Sequence, residues 1–179
     1  MPAYLLLLAA LLSRVIPHSG WMGFTAVGGA LIYFGARRSW KEILLPVAAL
    51  AGVDHYLTVQ VYGYDFVWQA YLVTWAWYAA AMVLGRILLS QETTILRVAS
   101  AAILGPTSFF IVSNYAVWVG SHGMYAPNLG GLATCYVAGL PFYGRDLIST
   151  ALVVTLAFGV PVAVQLYRRR KAVIGGSIQ

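Results

Sequence analysis

Charge is what this sequence has least of. Only 9% of its 179 residues are charged, five acids against eleven Lys and Arg, while 61% are hydrophobic. Soluble domains draw about a quarter of their residues from Asp, Glu, Lys and Arg, so a water-soluble core is excluded and the chain reads as an all-α integral membrane protein. A membrane barrel is excluded as well, because the alternation of apolar and polar residues along lipid-facing strands is missing. A single cysteine, Cys135, rules out an internal disulfide and a C-x-x-C metal or redox pair within the chain. P-loop and dinucleotide-binding glycine motifs are missing too, so active transport would need a partner or an ion gradient. The net charge of +6 does not point to nucleic acid: the basic residues sit in short clusters beside apolar runs, where they act as topology signals.

What is there is a series of apolar segments near residues 3–16, 23–36, 43–61, 66–89, 95–119 and 147–167, read as six transmembrane helices of one domain over residues 1–171, with residues 172–179 as a tail. The opening segment lacks the basic start and small-residue cleavage site of a secretory leader and reads as a retained helix. The first two spans are short, which local bilayer thinning and snorkelling can accommodate. The apolar portion 129–140 is only about a dozen residues long. It reads as a short re-entrant or capping helix within an outer segment, 120–145, before the last span.

Nine of the eleven basic residues then fall on one side: Arg37, Arg38 and Lys41, then Arg86 and Arg97, then the run Arg168 to Lys171. By the positive-inside rule this places both termini in the cytoplasm of a cell whose inner membrane holds the chain. All three histidines, Cys135 and three of the five acids fall in the opposite half. Asp54 lies near the bilayer midplane, roughly 16 Å along the third segment, where an ionisable group needs a wet cavity, a partner or a ligand. Two readings stay open: a packing pair with Arg14 or a neighbouring backbone, or a ligand site. Thr58, one turn on, shares its face.

The expected ligand-binding residues are Asp54, His55 and Asn114 as polar contacts, with His18, Tyr125, Cys135 and Tyr136 closing the mouth. Trp118 lies one turn from Asn114 and serves equally well in an interfacial aromatic belt. In the fourth segment Trp68, Tyr71, Trp75, Tyr78 and Met82 form one stripe, either a ligand wall or packing for the small residues Gly28, Gly29 and Ala30. Gly105-Pro106 predicts a kink in the fifth. "AVGGA" carries the small-residue spacing of a helix interface through Ala26, Gly29 and Ala30, facing this chain or a partner subunit. No metal-type spacing joins the histidines, Cys135 and the acids, leaving a metal or other cofactor unknown, and nothing orders Cys135 with a histidine as an enzyme nucleophile would require.

The stretches "SRVIPHSGWMGFTAVGGALIYFGARR", "SNYAVWV" and "GLATCYVAGLPFYGRDLISTAL" resemble an uncharacterised family of small bacterial membrane proteins named as transport proteins. The matching positions include Arg14, His18, Gly28, Asn114, Trp118, Cys135 and Tyr136; the chain departs from the pattern at Gly23, where the family has Asn, and at Val53, where it has Ser. In length and helical plan the chain is also similar to the substrate-binding S components of energy-coupling-factor vitamin transporters. The resemblance implies a small solute held in an outward-facing pocket. The alternative is a non-catalytic accessory subunit of a larger membrane complex.

Overall fold

A computed structural model describes residues 1–16, 25–121 and 123–176. These residues form six α-helices and no strand: α1 (Pro2–Val15), α2 (Val27–Arg37), α3 (Leu44–Tyr56), α4 (Leu72–Leu89), α5 (Ile95–Val119) and α6 (Leu129–Gly176). A 3₁₀ turn at Trp40–Glu42 leads into α3, a π-helical turn at Leu57–Val61 follows it, and a second 3₁₀ turn at Trp68–Tyr71 leads into α4. Among the described residues four helical stretches are long and apolar enough to cross a membrane: Trp40–Val61, Trp68–Leu89, Ile95–Val119 and Leu129–Pro161.

Six spans are therefore not supported, and the reason lies in the first two helices. At 1.5 Å per residue α1 is roughly 21 Å long and α2 roughly 17 Å, against about 30 Å of hydrocarbon. Every residue of α2 from Val27 to Ala36 is buried. A helix that is apolar all round belongs in a core, and α2 is enclosed by α1, α4, α5 and α6. In α1, only Ala3, Leu7 and Ala10 turn fully inward, at helical spacing, while Leu5, Leu8 and Leu12 stay exposed.

The capping helix is corrected as well. Residues 129–140 are the beginning of α6, which runs without a break past Pro141 and Pro161 to Gly176. Proline's fixed φ is compatible with a helix and removes only one ladder bond. Arg145 and Asp146, expected in the outer segment just before the last span, are helical, and Thr150 donates to the Asp146 carboxylate one turn away at 3.4 Å.

Close backbone approach joins α2 to α4. A Cβ on Gly35 would lie 1.9 Å from the Met82 carbonyl oxygen, and one on Gly85 would lie 2.0 Å from that of Ile32. On the neighbouring face of α2, Gly28 backs onto Thr150 and Gly29 onto Val153 of α6, and Ala30 is fully buried. The "AVGGA" spacing is thus occupied by a helix of the same chain.

At one end of these helices the basic residues are organised. Glu42 accepts from both Tyr4 and Arg38, Arg38 also donates to the Tyr4 hydroxyl at 2.9 Å, and Arg86 donates to the Arg38 carbonyl at 2.8 Å. The Arg86 guanidinium also lies over the Trp40 ring at 5.1 Å. The same helices open into a cavity at their other end.

Candidate functional site

Asp54 sits in the last turn of α3, where the ladder widens into the π-helical turn; such turns occur frequently at functional sites. Its side chain is 1% exposed and its Oδ1 lies 2.6 Å from a guanidinium nitrogen of Arg14, itself 24% exposed, on α1. Oδ1 meets no donor in hydrogen-bonding geometry, so Arg14 compensates it as a charge. Oδ2 accepts from Trp75 Nε1 at 3.0 Å and from the Tyr78 hydroxyl at 3.4 Å, and that hydroxyl in turn accepts from Arg14 at 2.7 Å. The aromatic stripe therefore has a polar purpose. One turn further, Thr58 in the π-helical turn bonds the hydroxyl of Tyr71 in the 3₁₀ turn before α4 at 2.5 Å, so the contact of Asp54 with Trp75 and Tyr78 continues beyond both helix ends.

Beside this network lies a cavity of about 600 Å³. Ser13 and Arg14 enter it from α1, Gly28 from α2, Trp77 and Tyr78 from α4, Phe109, Phe110 and Asn114 from α5, and Phe142, Tyr143 and Asp146 from α6. The walls are held by fixed rings. Trp77 Nε1 donates to Ser108 Oγ at 3.2 Å, and the indole packs on Phe109 at 4.6 Å. Phe110 stacks on Tyr143 at 4.7 Å, and the Tyr143 hydroxyl is bonded to Thr107 at 2.9 Å. Pro106 is fully buried within α5 and lines the cavity.

The expected site residues divide into three groups. Asn114 lines the cavity, with its amide nitrogen donating to the Phe110 carbonyl at 2.8 Å. Asp54 stands behind Arg14 and Tyr78, which line the wall in its place. The others lie elsewhere. His55 is exposed and meets the edge of Phe66 at 4.7 Å. Cys135 is buried with its thiol on the Asn114 carbonyl at 3.4 Å, and Tyr136 bonds the Ile111 carbonyl at 2.6 Å, so both fasten α6 to α5. Trp118 donates to the Ala126 carbonyl at 3.0 Å, tying the end of α5 to the chain before α6, and the half-buried Tyr125 belongs to that connection. His18 and His122 lie outside the described residues. Among the described residues no three of His, Cys, Asp and Glu gather as a metal-ligand set.

Sequence reasoning overlooked Trp77, Phe109 and Tyr143, and placed Asp146 only in the outer segment before the last span. Trp77 lies two residues from Trp75 and so falls on a different helix face from the stripe that was followed. Asp146 and Tyr143 share a helix face by their three-residue spacing, a signal hidden once the segment was taken for a break.

No curated protein and no solved structure matches the chain. A family model described as a family of unknown function matches residues 1–173, nearly the whole chain, and the chain belongs to that family, DUF6580.

Proposed function

We propose that this membrane protein binds a small solute in the cavity and helps it across the bilayer. The observation that carries the reading is the cavity itself. Its volume of about 600 Å³ falls within the roughly 300–1,000 Å³ of small-molecule sites, and its lining of aromatic walls with a few convergent polar groups is typical of them. Five helices contribute to it, so a solute there would contact most of the bundle, as expected of a carrier whose packing must respond to its load.

Sidedness follows from charge. With four crossing stretches, Arg37 and Arg38 precede the first, Arg86 and Arg97 flank the connection between the second and third, and the Arg168 to Lys171 run follows the fourth. An even number of crossings leaves all of them on one side, which the positive-inside rule makes cytoplasmic. The cavity would then open outward, and both termini would lie in the cytoplasm of the inner membrane. In a Cys135→Ser background, Ser90→Cys is expected to react with an impermeant maleimide only after the cells are opened, and Tyr64→Cys in intact cells. The reverse pattern would invert the topology.

Binding is tested by tryptophan emission of the full chain in mild detergent, titrated with a panel of small solutes. Saturable quenching is expected for at least one of them, reduced in Trp77→Phe, whose fold should survive because the ring is retained. A chain that answers to no solute and co-purifies with a stable membrane partner would instead be an accessory subunit.

A further inference from the structure

Two charged side chains among the described residues line the cavity, Arg14 and Asp146. Arg14 is the guanidinium that lines it, and its charge is already met by Asp54 at 2.6 Å, with Tyr78 taking one of its donors. An anionic solute reaching Arg14 would have to compete with that buried carboxylate. Asp146, on the α6 wall, is different: among the described residues its carboxylate accepts from Thr150, at 3.4 Å, and no described Lys, Arg or His forms an ion pair with it. Among the described residues that line the cavity, Asp146 is thus the charged group whose charge no other described side chain meets in an ion pair.

The walls favour the same sign. Aromatic faces carry negative potential and attract cations, most strongly when the site is shielded from water. Trp77, Phe109, Phe110 and Tyr143 are held in place by their ring contacts and hydrogen bonds. Asp146 lies close to Trp77 across the bare backbone of Gly28: a Cβ placed on that glycine would come 3.5 Å from the Asp146 carboxylate and 3.6 Å from the Trp77 ring. Carboxylate and indole therefore converge on one spot beside the bare glycine, where the nearest side-chain atom is the Thr150 hydroxyl, 2.5 Å from that Cβ position.

Resting on the solute-binding reading above, we propose that the cavity takes a small organic cation with an apolar or aromatic body, Asp146 supplying the counter-charge and the ring faces of Trp77 and its neighbours supplying the rest. Selectivity comes from charge, because a neutral or anionic molecule of the same shape keeps the ring contacts but leaves Asp146 without a partner.

The test is calorimetric titration of the full chain in detergent with three probes that share one ring, benzyltrimethylammonium, benzyl alcohol and phenylacetate, each corrected against empty micelles. The cation is expected to bind at least about tenfold more tightly than the other two, a difference of about 1.4 kcal/mol. Asp146→Asn should abolish that preference while Asp146→Glu keeps part of it. If Asp146→Asn does not fold, the ranking of the three probes on the wild-type chain decides. Tightest binding of phenylacetate would overturn the cation assignment and move the determinant to Arg14, leaving the pocket reading standing. Equal binding of all three would overturn the assignment too. If none binds while another solute quenches the tryptophans, the proposal alone falls; if nothing binds by either method, the pocket reading falls with it.

Discussion

Asp54→Ala is expected to lower the thermal midpoint of the detergent-solubilised chain sharply, at a cost of about 3–5 kcal/mol, the usual penalty for removing one partner of a buried ion pair. The loss is dominated by charge. Trp75 and Tyr78 each lose an acceptor, but hydrogen bonds between membrane helices average only about 0.6 kcal/mol. The larger penalty is the Arg14 guanidinium left without its counter-charge in a helix bundle, where only its 24% exposure toward the cavity offers relief. Charge as the cause makes a second prediction. The double variant Arg14→Met, Asp54→Leu should recover most of the stability, since replacing a buried pair by apolar groups of similar size is often neutral or better. Tyr78→Phe, which removes one hydroxyl and leaves both charges, should shift the midpoint only slightly. A single Asp54→Ala variant as stable as Tyr78→Phe would show that the pair contributes little and that Arg14 is solvated through the cavity.

Gly35→Ala and Gly85→Ala are each expected to abolish the folded yield. A methyl at either position would sit about van der Waals overlap deep against a carbonyl oxygen of the opposite helix, at 1.9 and 2.0 Å. Overpacking ordinarily costs about 1–3 kcal/mol because side chains rotate away. Here the obstruction is backbone on both sides, so α2 and α4 must separate, and α2 is the helix around which the others pack. Gly52→Ala provides the contrast. No atom outside its own helix lies within 4 Å of the added methyl, and in a helix interior the change should stabilise by about 0.5–1 kcal/mol. Circular dichroism and gel-filtration recovery of the three variants would decide. Normal recovery of Gly35→Ala and Gly85→Ala would mean that the helices do not meet through these glycines.

The Gly35 and Gly85 contact was partly legible in the residues. Ala81 and Gly85 have the four-residue spacing that permits close helix approach, yet "AVGGA" carries the denser cluster and drew attention to Gly28, Gly29 and Ala30 instead. The two contacts differ in what they require. Gly28 and Gly29 face side chains, whereas Gly35 and Gly85 face carbonyls, and nothing in one strand of letters distinguishes a groove for a side chain from one for a backbone.

Composition alone determined that this chain is helical and carries stretches apolar enough to cross a bilayer, because too few charged residues exist to cover a soluble surface and unsatisfied backbone cannot be left in hydrocarbon. The cost of an isolated charge in that medium likewise made Asp54 stand out and named Arg14 as one of its possible partners. Helix count and the site were decided by tertiary structure. Whether an apolar run of 11 residues thins a membrane or fills a core depends on what surrounds it, and α2 is surrounded. Whether Asp146 ends a helix or lines a cavity depends on α6 continuing through Pro141. A cavity is made by side chains from five helices whose rotations are set by packing against one another, and periodicity along one helix carries no information about the rotation of the next.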